Sequence, residues 1–168
     1  GSGEEQYRVY SKVYLPLGQN AWEIECEINI TKLLTTGQAS YEGPYLRFGV
    51  APDPTSELWM NYIELHRRPS FSETAMSLRI GNRAGPGSSI TYMMLTDSYE
   101  LTNIMPLKLR IRREKHPSNA SIRTGMMFYD KSDSNWKNVD GTIDTYWYGV
   151  YENDRDAKIF FTFSSSTI

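Results

Sequence analysis

Between Trp22 and Ile30 the chain reads W-E-I-E-C-E-I-N-I, which sets the carboxylates of Glu23, Glu25 and Glu27 at alternate positions. In a strand, residues i and i+2 share a face and lie roughly 7 Å apart. Retaining glycoside hydrolysis uses two carboxyl groups near that spacing, one as nucleophile and one as acid. A small retaining glycoside hydrolase would use Glu23 and Glu27. The same alternation is explained by the solvated outer face of a sheet, and we expect no catalysis.

Other reaction chemistries find less to work with. His66 and His116 are the only histidines, and no serine sits in a Gly-x-Ser-x-Gly context. Cys26 shares the apolar parity of Trp22, Ile24 and Ile28, where a thiol packs as a small hydrophobe. As the single cysteine it excludes an internal disulfide. The glycines of Gly81-Asn82-Arg83-Ala84-Gly85-Pro86-Gly87 precede neither Lys-Ser/Thr nor a helical pattern, so the segment reads as a turn rather than a phosphate loop.

Two acidic loops could ligate a hard cation. One carries Asp130, Asp133, Asp140 and Asp144; the other carries Glu152, Asn153, Asp154 and Asp156. Oxygen ligands on loops suit calcium, and Asp130, Asp133, Asp154 and Asp156 are the expected ligands if one binds. Neither loop has the D-x-D-x-D-G spacing, and acidic turn residues are ordinary, so the pattern requires no cofactor.

The run Lys108 to His116 holds five Lys or Arg against one carboxylate. Period 2 directs Lys108, Arg110 and Arg112 to one face, where Glu23, Glu25 and Glu27 of another strand would complement them. With a net charge of -2, nothing favours nucleic acid as a partner. No apolar run approaches the ~20 residues that membrane insertion as a helix requires.

These groups need a scaffold, and the scaffold reads as β. The chain has 168 residues, enough for one domain, and 13% of them are aromatic, which suits pleated surfaces. Alternation recurs at Leu46/Phe48/Val50, Met76/Leu78/Ile80, Leu107/Leu109/Ile111 and Ile159/Phe161/Phe163. Further strand candidates are Tyr7–Leu15, Leu58–His66, Ile90–Leu95, Met126–Asp130 and Thr145–Tyr151. Turn-rich stretches separate them, among them 130–141. The expected fold is an all-β antiparallel sandwich with one wet face per sheet, forming a single domain over 4–168. Gly1-Ser2-Gly3 reads as a cloning remnant.

The order of segments resembles the concanavalin-A-like, laminin-G-type jelly rolls. The residues that carry the likeness are Trp22–Ile28, Leu46–Val50, Pro106–Arg113, Met127–Asp130 followed by Trp136, Tyr148–Tyr151 and Ala157–Phe163. The resemblance covers about 20 to 164. It implies a jelly-roll sandwich, a lectin-like role, and calcium at the sandwich rim as some of these modules hold it. Laminarinase-type hydrolases of the same fold carry a similar E-x-D-x-E motif. Here Glu25 stands where they have Asp, and the segment lies near the N-terminus rather than mid-chain.

Aromatics of opposite parity complete the picture. Tyr146 and Tyr148 point away from Trp147, so some large rings must face outward. Trp136 lies among polar residues, where it either plugs the sandwich end or stacks on a ligand; the plug is our expectation. The expected ligand face comprises Trp136, Tyr146, Tyr148, Asp144 and Asn153. The expected function is a non-catalytic carbohydrate-binding module of a larger secreted or surface protein, contacting a glycan or glycoconjugate. The alternative is a structural or adhesive assembly domain, such as a virion fibre or capsid decoration domain, with a protein partner. Both place the chain outside the cell or on a surface, a virion surface included. Asn29-Ile30-Thr31 and Asn119-Ala120-Ser121 match the N-glycosylation triplet.

Overall fold

The computed structural model describes residues 4–12, 14–15, 21–31, 45–55, 59–67, 75–84, 91–94, 99–115, 122–132, 134–139 and 157–166. Its elements in chain order are β1 (Glu4–Tyr10), β2 (Trp22–Ile28), β3 (Tyr45–Ala51), β4 (Trp59–Arg67), β5 (Ala75–Ala84), β6 (Thr91–Met94), β7 (Tyr99–Glu100), the single turn α1 (Leu101–Ile104), β8 (Leu107–Lys115), β9 (Ile122–Asp130), β10 (Asn135–Asn138) and β11 (Lys158–Ser166). Two antiparallel sheets pack face to face. The large one runs β1-β11-β3-β4-β5-β6 with β7 also on β5, and the small one runs β10-β9-β8-β2. The chain is an all-β sandwich.

Alternation builds the interface between the sheets. Along β2 the odd-numbered residues are exposed, while Trp22, Ile24, Cys26 and Ile28 turn inward. They meet Leu107, Leu109 and Ile111 of β8 in register, with Cys26 opposite Leu109. From the large sheet Phe48, Ile63, Leu65, Leu78 and Ile80 close the same core. Five such side chains at about 1.5–3 kcal/mol each supply a large share of what holds the sheets together.

The large sheet departs from the expected single wet face. In β3 every residue from Leu46 to Ala51 is buried, and in β4 every one from Met60 to His66. Its outer face carries a second apolar cluster of Ala51, Met60, Tyr62 and Phe160. Glycines make room for those rings. Tyr62 lies across Gly81 of β5, and Phe160 lies against Gly49 of β3. The expected turn at Gly81 is therefore wrong at its start, because β5 continues to Ala84. Burial on β11 is likewise inverted from expectation: Phe160 is 1% exposed and Phe163 43%. Phe163 points to the core side yet stands in water, so among the described residues the small sheet does not cover it.

Other boundaries shift. The first strand stops at Tyr10, and Leu15 keeps only an isolated bridge to Ala157. β9 starts at Ile122, four residues before its predicted start at Met126. The stretch read as a loop between Asp130 and Gly141 holds strand β10. The Thr145–Tyr151 candidate lies outside the described residues.

Candidate functional site

The outer face of the small sheet collects the charged and aromatic side chains that the sequence singled out. Register sets Glu23 opposite Arg112, Glu25 opposite Arg110 and Glu27 opposite Lys108. Arg110 donates from Nε to Glu25 Oε1 at 2.8 Å and stands 3.4 Å from Glu23 Oε1. Arg112 Nε is 3.7 Å from Glu23 Oε2. The expected cross-strand charge complement is present. Glu23 and Glu27 are two rungs apart, about 13 Å by strand rise, and each faces a cation. Two-carboxylate hydrolysis uses roughly 5–9.5 Å, so this strand does not bring that pair together.

The same guanidinium reaches the aromatic residues. Arg110 Cζ lies 3.8 Å from the centre of the Trp136 ring. Trp136 sits opposite Tyr129 in the β9–β10 register, and the two rings meet edge to face at 5.6 Å and 68°. Lys108 Nζ hovers 5.6 Å from the Tyr129 ring. Trp136 is therefore not a plug at the sandwich end. It is half-buried on the outer sheet face, because odd parity at Tyr129 points away from inward Phe128 and pairing carries Trp136 with it.

Tyr129 also borders a depression of about 310 Å³ at the end of the β9–β10 hairpin. Asn103, Ile104, Asp130, Lys131 and Ser132 contribute to its wall. Asp130 is held by its own turn: Oδ1 accepts from Ser132 N at 2.8 Å and Ser132 Oγ at 2.6 Å, while Oδ2 accepts from Lys137 Nζ at 2.7 Å. Burial pushes the Asp130 carboxyl up, but the bonds from Lys137 and Ser132 outweigh it and hold it below the ordinary aspartate value. Ser134, at φ 59°, turns the chain back into β10. Lys131 donates to the Met105 carbonyl.

Of the expected site residues, Trp136 and Asp130 come together on this hairpin. Tyr146, Tyr148, Asp144, Asn153, Asp133, Asp154 and Asp156 lie outside the described residues. Among the described residues no group of three or more His, Cys, Asp or Glu is placed to hold a metal ion.

Sequence reasoning missed a polar row on the outer face of the large sheet. Register aligns Arg47 of β3, Glu64 of β4 and Arg79 of β5. Glu64, 0% exposed, accepts from Arg47 Nε at 2.7 Å and from Arg79. His66 Nδ1 is 4.0 Å from Glu64 Oε1. A signal existed: the segment N-Y-I-E-L-H places one acid between two strands that each carry an arginine at outward parity. Outward parity alone does not reveal the row, because it names a face without saying whether water reaches it.

No family model matches the chain, and neither any curated protein nor any solved structure does.

Proposed function

We propose that the chain is a non-catalytic carbohydrate-binding module of the concanavalin-A-like jelly-roll type, working outside the cell or on a surface. The observation that supports this is Tyr129, which meets Trp136 edge to face and lines the depression together with Asn103, Asp130, Lys131 and Ser132. Aromatic faces accept the apolar face of a sugar ring, and a surrounding set of amide, hydroxyl and charged groups pairs with its hydroxyls. A volume near 310 Å³ lies at the lower end of the range for small-molecule sites.

The test is a glycan array probed with the wild type, Tyr129→Ala and Trp136→Ala, with and without calcium. Binding to a defined glycan class, weakened about tenfold or more in both variants, is the expected result. The melting temperatures must stay near that of the wild type for that loss to count. A calcium requirement would point to the acidic loops as part of the site. An array without any binding, or binding indifferent to both substitutions, overturns the reading.

A further inference from the structure

The large hydrophobic side chains that stand well out in water, among the described residues, all lie along one margin of the large sheet. Tyr7 is 59% exposed, Val9 61%, Tyr10 47%, Tyr14 54% and Phe163 43%. Tyr7 and Val9 belong to β1, the terminal strand of the sheet among the described residues, and Phe163 lies beside Tyr7 on β11. These three occupy the core-side face. Tyr10 has the opposite parity, and Lys158 Nζ sits 5.1 Å from its ring and 4.8 Å from that of Tyr14. Apolar surface thus flanks both faces of a single edge.

We propose that this edge is a homodimer interface, in which a second copy of the chain lays its β1 antiparallel to the first about a two-fold axis at Tyr7. A ligand stacking on rings would use one face; a strand added to the edge brings its own side chains alongside those on both faces. At roughly half exposure, five such side chains leave on the order of 500 Å² uncovered. Divided between the two faces, that is more than half of the ~800 Å² per partner of a standard interface.

The register follows from the strand itself. A two-fold axis normal to a sheet keeps each side chain on its own face, so residue i must meet a residue of the same parity. Glu4–Tyr10 is seven residues centred on Tyr7, so only an axis at Tyr7 pairs the whole strand. Every other allowed register loses at least two pairs. The hydrogen-bond phase agrees. Ser11 N–H donates to Ile159 O at 2.8 Å, so strand alternation turns the main-chain groups of Val9 and Tyr7 toward β11 and those of Arg8 and Gln6 toward the outer edge. Tyr7 then meets its symmetry mate as a non-hydrogen-bonded pair, with Cα atoms about 4.5 Å apart and side chains in contact. A row Phe163–Tyr7–Tyr7–Phe163 crosses the seam.

This inference is independent of the glycan reading. Sedimentation velocity on the whole chain from about 1 to 200 µM should give a dimer in the upper part of the range. Tyr7→Glu and Val9→Lys should be monomeric throughout with an unchanged circular dichroism spectrum, since both positions face water in the single chain. In a Cys26→Ala background, Tyr7→Cys should cross-link into a covalent dimer on air oxidation, because 4.5 Å lies within disulfide reach. Val9→Cys, about 13 Å from its mate in this register, should not. A wild type that stays monomeric at every concentration overturns the proposal. So does a dimer that survives Tyr7→Glu, or equal cross-linking by both cysteine variants.

Discussion

Arg47 donates its Nε–H to Glu64 Oε2 at 2.7 Å with the Glu64 carboxylate wholly out of water. Arg79 approaches the other oxygen from the opposite neighbouring strand, so one acid joins three strands. Burial of Arg47 works against its charge, but Tyr62, the Glu64 carboxylate and Tyr45 outweigh it and hold the guanidinium protonated well above its usual range. Its Cζ lies 4.2 Å from the centre of the Tyr45 ring and 4.6 Å from that of Tyr62. Removing one partner of a buried ion pair strands the other in low dielectric, at a cost of about 3–5 kcal/mol. Glu64→Ala should therefore lower stability by about that amount in urea unfolding. A loss under about 1 kcal/mol would show that water reaches this face and that the row is an ordinary surface pair.

The glycines of the large sheet make a sharper test of packing. A Cβ at Gly81 would overlap the Tyr62 ring, whereas at Gly49 it would meet the main-chain oxygen of Asn61 and the Cβ of Tyr62. Gly81→Ala should destabilise by about 1–3 kcal/mol, the usual cost of overpacking. In a Tyr62→Leu background that penalty should fall by about 1 kcal/mol or more, because the obstructing ring is gone. Gly49→Ala should keep its penalty there, since a backbone carbonyl cannot move aside. Equal penalties for Gly81→Ala in both backgrounds would place the Tyr62 ring elsewhere.

These residues mark where the sequence could be read and where it could not. The small sheet was legible because its outer face is wet: β2 and β8 alternate cleanly, and the carboxylates of one predicted the cations of the other. In β3 and β4 the period survives but both faces are buried, and in β11 the outer-face Phe160 and Thr162 are the more buried set, so alternation separates two environments without saying which faces water. Gly81 looked like a turn because a glycine's use as room for a ring from the next strand leaves no local trace. Trp136 lay in a four-residue edge strand, too short for any period to orient it. The Tyr7–Phe163 margin depends on how far one sheet overhangs the other, a property of the assembled sandwich.

Cys26 gives the pH test. It lies on the inner face of β2 opposite Leu109, and burial pushes its thiol up from 9.0 to about 12, the hydrogen bond with the Leu109 main chain pulling weakly the other way. The unfolded chain sheds this proton near pH 9, whereas the folded chain keeps it until about pH 12. The contribution is therefore intact below about pH 9 and is lost as pH rises toward 12, because only the unfolded state gains from ionising across that window. Cys26→Ala removes this titration and leaves every other lysine and tyrosine in place. At pH 7 the variant should be less stable by about 1 kcal/mol for the lost sulfur contacts. Urea unfolding at about pH 7, 9 and 10.5 should then show the gap narrowing by pH 9 and reversed by about pH 10.5, where the thiol's loss of about 2 kcal/mol falls on the wild type alone. The thiol should also resist iodoacetamide at pH 8 until the protein is unfolded, because the thiolate is the nucleophile. A gap that stays constant with pH, together with rapid alkylation of the folded chain, would mean that Cys26 meets water and that β2 does not seal the core at this rung.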